Sequence, residues 1–573
     1  MAPGSNNVPK NIGAVQPAKS AVATAAVAGA FSAVFLVLLV VNYIQVSIMM
    51  PRREAELTDL KVKIQKQADD KELLAQIRAL DLRIRQQRLR RLDFSRKCGY
   101  MLLGGVVVFL AGVIWADSHR KKRPTPGPVG NQRNEQIFQA ARSRLAVAIG
   151  LVVLAAVGIF LVVAPRINFA EAEAEGPSYP SDEEIAKNWH RFRGPGGAGI
   201  SAYTNIPTRW DGKTGEGILW KTEVPLPGHN SPVVWGDRVF LSGATEQKRE
   251  VYCFDAISGK LLWTGEVPKA SREKLEIKED TGAAACTVAS DGRRVYAIFA
   301  SGDIGCFDFK GSRLWTKSLG IPDSAYGYAS SLEVYQNLLL VQFDQATVED
   351  GKSRLFAFDG LSGRPVWEVK RPVANSWTSP IVVKAVNKYQ LITVADPWVI
   401  SYEPASGKEI WRAKCVGGDV APSSICAGGL VFVIEPYKQL VAIRPDGQGD
   451  ITRTHIAWRA VDSGPDICCP VSNGELIYVL TTEGMLICHR VADGTKVYEK
   501  DLNATFLASP SLAGDKMYLL SEKGVMYLVQ TGSEYKELGR CELGEDCWAS
   551  PAFADGRIYL RGLKTLYCIG NKP

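Results

Sequence analysis

The chain has 573 residues, of which 46% are hydrophobic and 22% charged, with 53 glycines and 30 prolines. This composition is too apolar for a disordered protein, and the chain is far too long for a small disulfide-stabilised one. The net charge of +8 does not by itself indicate nucleic-acid binding, because residues 50–98 alone hold 14 Lys/Arg against 8 Asp/Glu. The excess positive charge therefore belongs to an N-terminal segment.

Three apolar runs predict a membrane region in the N-terminal part of the chain. They cover residues 21–46, 99–116 and 145–164, and none contains a charged residue. A helix needs about 20 apolar residues to cross a bilayer, so the first and third runs are long enough and the second is only just so. We therefore expect a flexible N-terminus over residues 1–20 and an α-helical membrane region over residues 21–165.

A charged, glycine-free segment, residues 52–97, lies between the first two runs. Its leucines and isoleucines recur at spacings of three and four, which predicts one apolar stripe on a long helix. Two interpretations remain open: self-association as a coiled coil, or a basic helix lying on anionic lipid headgroups. The segment lacks interleaved aromatic residues, so membrane lipid explains its charge better than nucleic acid does, and no nucleic-acid partner is expected.

The charges around the third run predict its orientation. Arg142 and Arg144 precede it, and Lys/Arg flanks stay in the cytoplasm, so the C-terminal part should be exoplasmic. The segments that follow the first and second runs are also basic, and one of them would be external if all three runs crossed the membrane. This conflict disappears if the second run is re-entrant, because both segments then stay inside. We expect a multi-pass protein of the inner membrane, a linker over residues 166–187, and an exoplasmic domain over residues 188–573.

That domain is repetitive. One motif, Asp-x-x-Ser-Gly-x-x-x-Trp, predicts a tight turn, in which Asp accepts backbone N–H bonds and Gly adopts a positive φ, followed by a strand whose Trp packs on the next unit. An isolated tryptophan, Trp220, precedes the series. The residues expected to dock one unit on the next are Trp220, Asp255, Gly259, Trp263, Trp315, Asp359, Gly363, Trp367, Gly407, Trp411 and Trp458.

A second motif, Ser/Cys-Pro followed by an apolar strand, begins each unit. Full or weaker copies begin at Ser231, Cys286, Ser330, Ser379, Ser423, Cys469, Ser509 and Ser550. Sheets this small bury both faces only by stacking on neighbours, and eight four-stranded sheets stacked radially form a closed ring. The predicted fold class is therefore all-β, an eight-bladed β-propeller, with the segment around Trp220 supplying the outer strand of the last blade, which is built from residues 550–570.

These repeats resemble the pyrroloquinoline-quinone-type eight-bladed propeller. The superfamily includes quinoprotein alcohol dehydrogenases and the non-enzymatic assembly factor of outer-membrane β-barrels, BamB. The resemblance covers about residues 189–573, and the lead-in over residues 188–195 is similar to the opening of membrane-anchored members. Because one fold serves both enzymes and scaffolds, the resemblance indicates activity less firmly than fold.

The resemblance implies alternative functions. The assembly-factor branch implies a scaffold that binds envelope proteins and needs no cofactor, which is the preferred interpretation. The dehydrogenase branch implies oxidation of an alcohol or sugar by pyrroloquinoline quinone with Ca²⁺, and electron transfer to the membrane. A third interpretation is an envelope ligand sensor that signals through residues 52–97.

Adjacent cysteines, Cys468 and Cys469, are the feature closest to the dehydrogenases. In quinoprotein methanol dehydrogenases such a pair at a blade start forms a strained disulfide ring that covers the quinone. By that resemblance Cys468, Cys469, Trp377 and Trp548 are candidate quinone contacts, and two free thiols are the alternative. Neither a Ca²⁺ cage nor a catalytic Asp can be aligned, so no catalytic residue and no metal ligand is assigned.

Equal repeat positions should project to one ring near a mouth of the central channel. The position two residues before the Ser/Cys slot holds aromatic side chains in four units, which could stack on a planar ligand, anchor a partner peptide or simply plug the channel. Three Asp residues of the same loops either make the mouth acidic or are ordinary solvated side chains. These mouth candidates are His229, Tyr328, Trp377, Asp419, Asp466, Asp546 and Trp548.

Overall fold

The computed structural model describes residues 21–39, 41–42, 94, 97–105, 107–111, 179–271, 273–278, 281–461 and 464–571. The chain forms two compact units, Met1–Ala174 and Glu175–Pro573. The predicted third apolar run and, apart from residues 94 and 97, the predicted charged helix lie outside the described residues.

The first unit contains two apolar helices, α1 (Ala21–Leu39) and α2 (Lys97–Ala111). They approach closely at small residues, since a Cβ added at Gly105 would lie 2.4 Å from Ser32 Oγ. Within the described residues, only α1 is long and apolar enough to cross a membrane, judged by length and composition. The described part of the chain thus offers one candidate span and does not support the expected multi-pass arrangement.

The second unit begins with a short helix, α3 (Asp182–Ala186), inside the segment predicted as linker, and a 3₁₀ turn at Pro195–Gly197. The remaining elements are strands. In chain order they are β1 (Ile200–Ser201), β2 (Ile218–Glu223), β3 (Val233–Trp235), β4 (Arg238–Ala244), β5 (Arg249–Asp255), β6 (Leu261–Glu266), β7 (Ala289–Ser290), β8 (Arg294–Ile298), β9 (Asp303–Asp308), β10 (Arg313–Ser318), β11 (Glu333–Tyr335), β12 (Leu338–Phe343), β13 (Arg354–Asp359), β14 (Pro365–Lys370), β15 (Ile381–Ala385), β16 (Lys388–Ala395), β17 (Trp398–Tyr402), β18 (Glu409–Lys414), β19 (Ile425–Ala427), β20 (Leu430–Glu435), β21 (Gln439–Ile443), β22 (Gly449–Asp450), β23 (Ile456–Val461), β24 (Val471–Ser472), β25 (Leu476–Leu480), β26 (Met485–Arg490), β27 (Lys496–Asp501), β28 (Ser511–Ala513), β29 (Lys516–Leu520), β30 (Val525–Gln530), β31 (Lys536–Glu542), β32 (Ala552–Ala554), β33 (Arg557–Arg561) and β34 (Thr565–Ile569).

These strands form eight sheets, which confirms the predicted eight-bladed propeller. From the inner to the outer strand, blades 1 to 4 are β3–β6, β7–β10, β11–β14 and β15–β18, and blades 5 to 8 are β19-β20-β21-β23, β24–β27, β28–β31 and β32-β33-β34-β2. Two short strands add parallel pairs, β22 beside β18 and β1 beside β28. We call the face with the loops between successive blades the upper face, and the face where each first strand ends the lower face.

The ring is closed by its own N-terminal strand. Strand β2 pairs antiparallel with β34 and places Trp220 opposite Cys568, so the last blade takes its outer strand from the start of the domain. This is the predicted closure, and it pairs the edge of β34 that would otherwise be exposed.

The repeated turn has the predicted geometry. Asp255 Oδ1 accepts the Ser258 N–H at 2.7 Å, and Gly259 adopts a φ of +72°. The Trp220 ring lies against Gly259, where a Cβ would come within 2.5 Å of it, and Trp220 Nε1 donates to Ala256 O at 3.1 Å. The same Nε1 bond to the next blade's turn recurs at Trp263, Trp315, Trp367 and Trp458, and each of these rings packs on a turn glycine, Gly311, Gly363, Gly407 and Gly494 respectively.

Trp411 reaches its neighbour in a different way. Its ring is fully buried, and Nε1 donates to Gln390 Oε1 of its own blade at 2.9 Å. Gln390 Nε2 then donates to Pro445 O in the turn of blade 5 at 3.0 Å. The direct contact expected at this junction is therefore relayed through a glutamine, because the turn of blade 5 is longer and inserts β22 beside β18.

Candidate functional site

A ring of small side chains surrounds the channel, one from the start of each blade. Its members are Ser231, Thr287, Ser331, Ser379, Ser423, Cys469, Ser509 and Ser550. At seven of the eight junctions, the backbone N–H of one member donates to the Oγ or Sγ of the next at 2.8–3.2 Å. The repeated Ser thus joins neighbouring blades at the channel wall.

The structure corrects the alignment of two blade starts. Thr287 and Ser331 occupy the ring in blades 2 and 3, not Cys286 and Ser330. Because side chains alternate along a strand, a shift of one residue turns each side chain to the opposite face. Cys286 accordingly points into the blade core, where its Sγ contacts Tyr328 O at 3.2 Å.

The corrected alignment also changes the expected position of Tyr328. It was expected at the channel mouth, but only 3% of it is exposed, and its ring stacks on Phe343 at 5.5 Å inside a blade core. Ala285 and Ala329 hold the positions two residues before the ring in these blades and line the channel instead.

The other aromatic candidates do meet at the mouth. His229, Trp377 and Trp548 line a cavity of about 190 Å³ above the ring. The rings of His229 and Trp548 are stacked with centroids 4.4 Å apart, and Trp377 meets the Tyr326 ring edge-on at 4.8 Å. Cys469 lies in the wall of the same cavity.

The predicted acidic residues lie outside this cavity. Asp466 Oδ2 accepts a hydrogen bond from Tyr437 Oη at 3.2 Å, and Asp546 forms an ion pair with Lys523 at 2.9 Å. Asp419 is exposed on a neighbouring loop. None of the three is among the residues lining the cavity, so the cavity wall holds no carboxylate and is aromatic rather than acidic.

An arm formed by residues 189–199 closes the channel from below. Arg193, which is 1% exposed, donates to the carbonyls of Pro470 and Pro510 at 2.7 and 2.8 Å, and to those of Gly197 and Ala198 at 3.2 Å. Pro470 directly follows the ring residue Cys469 at the start of blade 6, and Pro510 follows Ser509 at the start of blade 7. Arg193 therefore joins blades 6 and 7 just beneath the ring.

Arg191 fixes the same arm to the other side of the channel. Its guanidinium donates to Pro380 O at 2.7 Å, and Nε lies 3.4 Å from Glu333 Oε2, with both side chains buried. Phe192, between the two arginines, lines the mouth cavity and closes it from below. The sequence shows two arginines in a glycine-rich lead-in but not their partners, so this arm was missed.

The adjacent cysteines are both free thiols. Cys468 points into the blade core, with Sγ 3.5 Å from Ala508 O, and burial raises the pKa of its thiol. Cys469 points into the channel, where its Sγ accepts the Ser423 N–H at 3.2 Å. The two side chains therefore lie on opposite faces of one strand.

The mouth does not fit a quinone with Ca²⁺. Pyrroloquinoline quinone carries three carboxylates, which require cationic or N–H-rich partners, but no Lys, Arg, Asp or Glu lines the cavity. The volume of about 190 Å³ is below the roughly 300–1,000 Å³ of ordinary ligand pockets. No cluster of three His, Cys, Asp or Glu side chains able to hold a metal ion occurs in the described part of the chain.

Replacement of Cys469 tests whether it is simply a ring member. Cys469→Ser should change the free energy of unfolding by no more than about 0.5 kcal/mol, because Ser fills this position in most blades. Cys469→Val should cost about 1–2 kcal/mol, since the buried Ser423 N–H loses its acceptor. Urea denaturation of both variants measures the difference, and a Ser variant as unstable as the Val variant would contradict the assignment.

Comparison with known proteins agrees with the geometry of the ring. Residues 207–326, 247–444 and 395–534 match the family described as outer membrane protein assembly factor BamB. Together these matches cover more than half of the chain, and the protein therefore belongs to this family of eight-bladed propellers.

Individual relatives are more distant. BamB of Burkholderia pseudomallei is 26% identical over 273 residues, 46% of this chain and 64% of that protein. Tetrathionate hydrolase of Acidithiobacillus ferrooxidans is 22% identical over 231 residues, 39% of this chain and 45% of that protein. The chain thus spans less than two-thirds of either relative. A europium-containing methanol dehydrogenase shares the fold, with 12% identity, a TM-score of 0.52, and coverage of 68% of this chain and all of that one.

Proposed function

We propose that the protein is a scaffold of the cell envelope that binds other proteins through the upper face of its propeller. The observation that carries the proposal is the blocked channel: the arm fills its lower end, and the remaining mouth is small, aromatic and without lining Lys, Arg, Asp or Glu. Such a mouth is suited to receiving a side chain of a partner. Membership of the BamB family supports the same function.

Four side chains of the upper face form the proposed contact surface, which we call the upper cluster: Tyr326, Trp377, Tyr437 and Ile467. Tyr437 is 74% exposed and Ile467 41% exposed, although both are large and hydrophobic. Tyrosine and tryptophan are enriched among the strong contacts at protein interfaces, because they bury a large area at little entropic cost. Trp377 and Ile467 line the mouth cavity, and Tyr326 packs on Trp377, so a loop inserted there would contact more than one blade.

The membrane arrangement is part of the proposal. Helix α1 would anchor the chain in the inner membrane, and the propeller would lie on the exoplasmic side, where envelope proteins are accessible. Self-association through residues 52–97 would then bring several propellers together. The exoplasmic position rests on Arg142 and Arg144 before the third apolar run, and self-association rests on the leucine and isoleucine spacing of residues 52–97.

Affinity purification of the full chain from membranes tests the proposal. We expect Tyr437→Ser and Trp377→Ala to reduce the amount of the main co-purifying proteins by about tenfold, the effect of losing one strong interface contact. Ile257→Ala, at a 67% exposed position on the lower face, is the matched control and should change nothing. Tyr437 is exposed, so its variant separates lost binding from lost folding.

Two results would overturn the proposal. One is equal recovery of the same proteins by all variants, as measured by quantitative mass spectrometry. The other is one equivalent of pyrroloquinoline quinone in the wild-type preparation, which would favour the dehydrogenase function instead.

A further inference from the structure

A second cavity, of about 230 Å³, opens on the lower face, between the start of the arm and blades 1 to 4. Four aromatic side chains line it: Tyr179, Trp235, Tyr335 and Tyr389. The rings of Tyr335 and Tyr389 lie 5.5 Å apart at 58° to each other. Aromatic rings attract a cation that lies over their faces.

The charged groups in the wall of this cavity are all carboxylates. They belong to Asp182, Asp291 and Glu333, and no Lys or Arg is among the lining residues. His190 also lines the cavity. Burial, reinforced by the neighbouring Arg191, lowers its pKa to about 3. The lining residues therefore carry no positive charge at neutral pH; Lys384, which is not among them, places its Nζ 5.9 Å from the centre of the Tyr389 ring.

The two deep carboxylates already have partners. Asp291 forms an ion pair with Arg294 at 2.5 Å, and Glu333 accepts the N–H groups of Val334 and Val382 at 2.9 Å in addition to its contact with Arg191. The negative charge of these two carboxylates is therefore largely compensated by groups inside the protein.

Asp182 at the rim differs from them. It is exposed and accepts a hydrogen bond from Tyr389 Oη at 2.9 Å. No ion pair to Asp182 is formed by any residue that the structure describes. Its carboxylate thus keeps acceptor capacity directly beside the tilted tyrosine rings.

We propose that this cavity binds one organic cation, the guanidinium or ammonium head of an arginine or lysine side chain from a partner protein. The rings would contact the face of the cation, and Asp182 would accept its N–H bonds at the rim. The volume of about 230 Å³ accommodates one such head group and is below that of ordinary ligand pockets. The site lies on the opposite face from the upper cluster, so it would contact a different partner protein.

Binding of short peptides to the full chain in detergent tests this site. We expect a fluorescent pentapeptide with a central arginine to bind saturably, with a Kd on the order of 1 mM or tighter. The same peptide with citrulline, which keeps the shape and loses the charge, should bind at least tenfold more weakly. Asp182→Asn should weaken binding of the arginine peptide by about three- to tenfold.

Asp515→Asn is the matched control, because Asp515 is an exposed carboxylate of blade 7 paired with Lys516. It should leave peptide binding unchanged, and Tyr437→Ser should do the same, which separates this site from the proposed function of the upper face. Equal binding of the citrulline peptide, or no loss with Asp182→Asn, would overturn the proposal. Binding of free ethylammonium or guanidinium as tightly as the peptide would overturn the assignment to a protein side chain.

Discussion

Replacement of Arg193 by methionine is expected to lower the free energy of unfolding by roughly 3–5 kcal/mol. Methionine fills a similar volume but leaves the carbonyls of Pro470 and Pro510 without their donor inside the channel. A buried acceptor without a partner costs more than the hydrogen bond itself contributes, because it cannot return to water. The arm should also become a site of protease cleavage, since its main attachment to blades 6 and 7 is lost.

Urea denaturation and limited proteolysis of the full chain measure these two effects. Lys187→Met is the matched control: it removes a cationic side chain just before the arm, but one that is exposed and paired with the exposed Glu183. Exposed pairs of this kind contribute about 0–1 kcal/mol. A loss for Arg193→Met no greater than that of the control, with the arm still protected, would show that the arm does not hold the blades together.

A second large effect is expected for Gly212→Ala, in the loop that leads to the closing strand β2. A Cβ at this position would lie 1.8 Å from the backbone oxygen of Leu543, so the loop or blade 7 must move. Gly212 also donates its N–H to Glu542 O at 2.8 Å, a bond that such a movement would break. We expect a loss of about 3 kcal/mol, the upper part of the range for overpacking, because backbone cannot rotate away as a side chain can.

Gly532→Ala provides the control for this prediction. No atom lies within 4 Å of the added Cβ at Gly532, and its φ is not in the left-handed region. The control variant should unfold at the same urea concentration as the wild type. Equal midpoints for the two variants would mean that the loop before β2 is not tightly packed on blade 7.

The repeated features of this fold could be predicted from the sequence because repetition makes them visible. The turn of Asp255 and the packing of Trp263 recur several times, and each copy confirms the others. The role of Trp220 could be predicted by counting strands. The last of the eight blade starts lacked an outer strand after it, and the segment around Trp220 was left to supply that strand. Where a copy was degenerate, as at Cys286, the alignment failed by one residue, which was enough to place Tyr328 on the wrong face.

The parts of the candidate site that occur once could not be predicted in this way. Arg191 and Arg193 donate hydrogen bonds to carbonyls that lie 189 and 317 residues further along the chain. No local sequence pattern predicts such distant partners. Likewise, Tyr389 meets Asp182 across 207 residues. Contacts of this kind depend on how the closed ring brings distant segments together, so they become visible only in the assembled structure.

Site-specific photo-crosslinking tests the central claim most directly, by asking which face of the propeller touches other proteins. A photoreactive amino acid would replace Tyr437 on the upper face, and in a second variant Ile257 on the lower face, positions that are 74% and 67% exposed. After irradiation of intact cells, we expect discrete protein adducts from position 437, fewer of them when Trp377→Ala is added, and none of the same adducts from position 257. Identical adducts from both positions, or none from position 437, would contradict a scaffold that binds through its channel mouth.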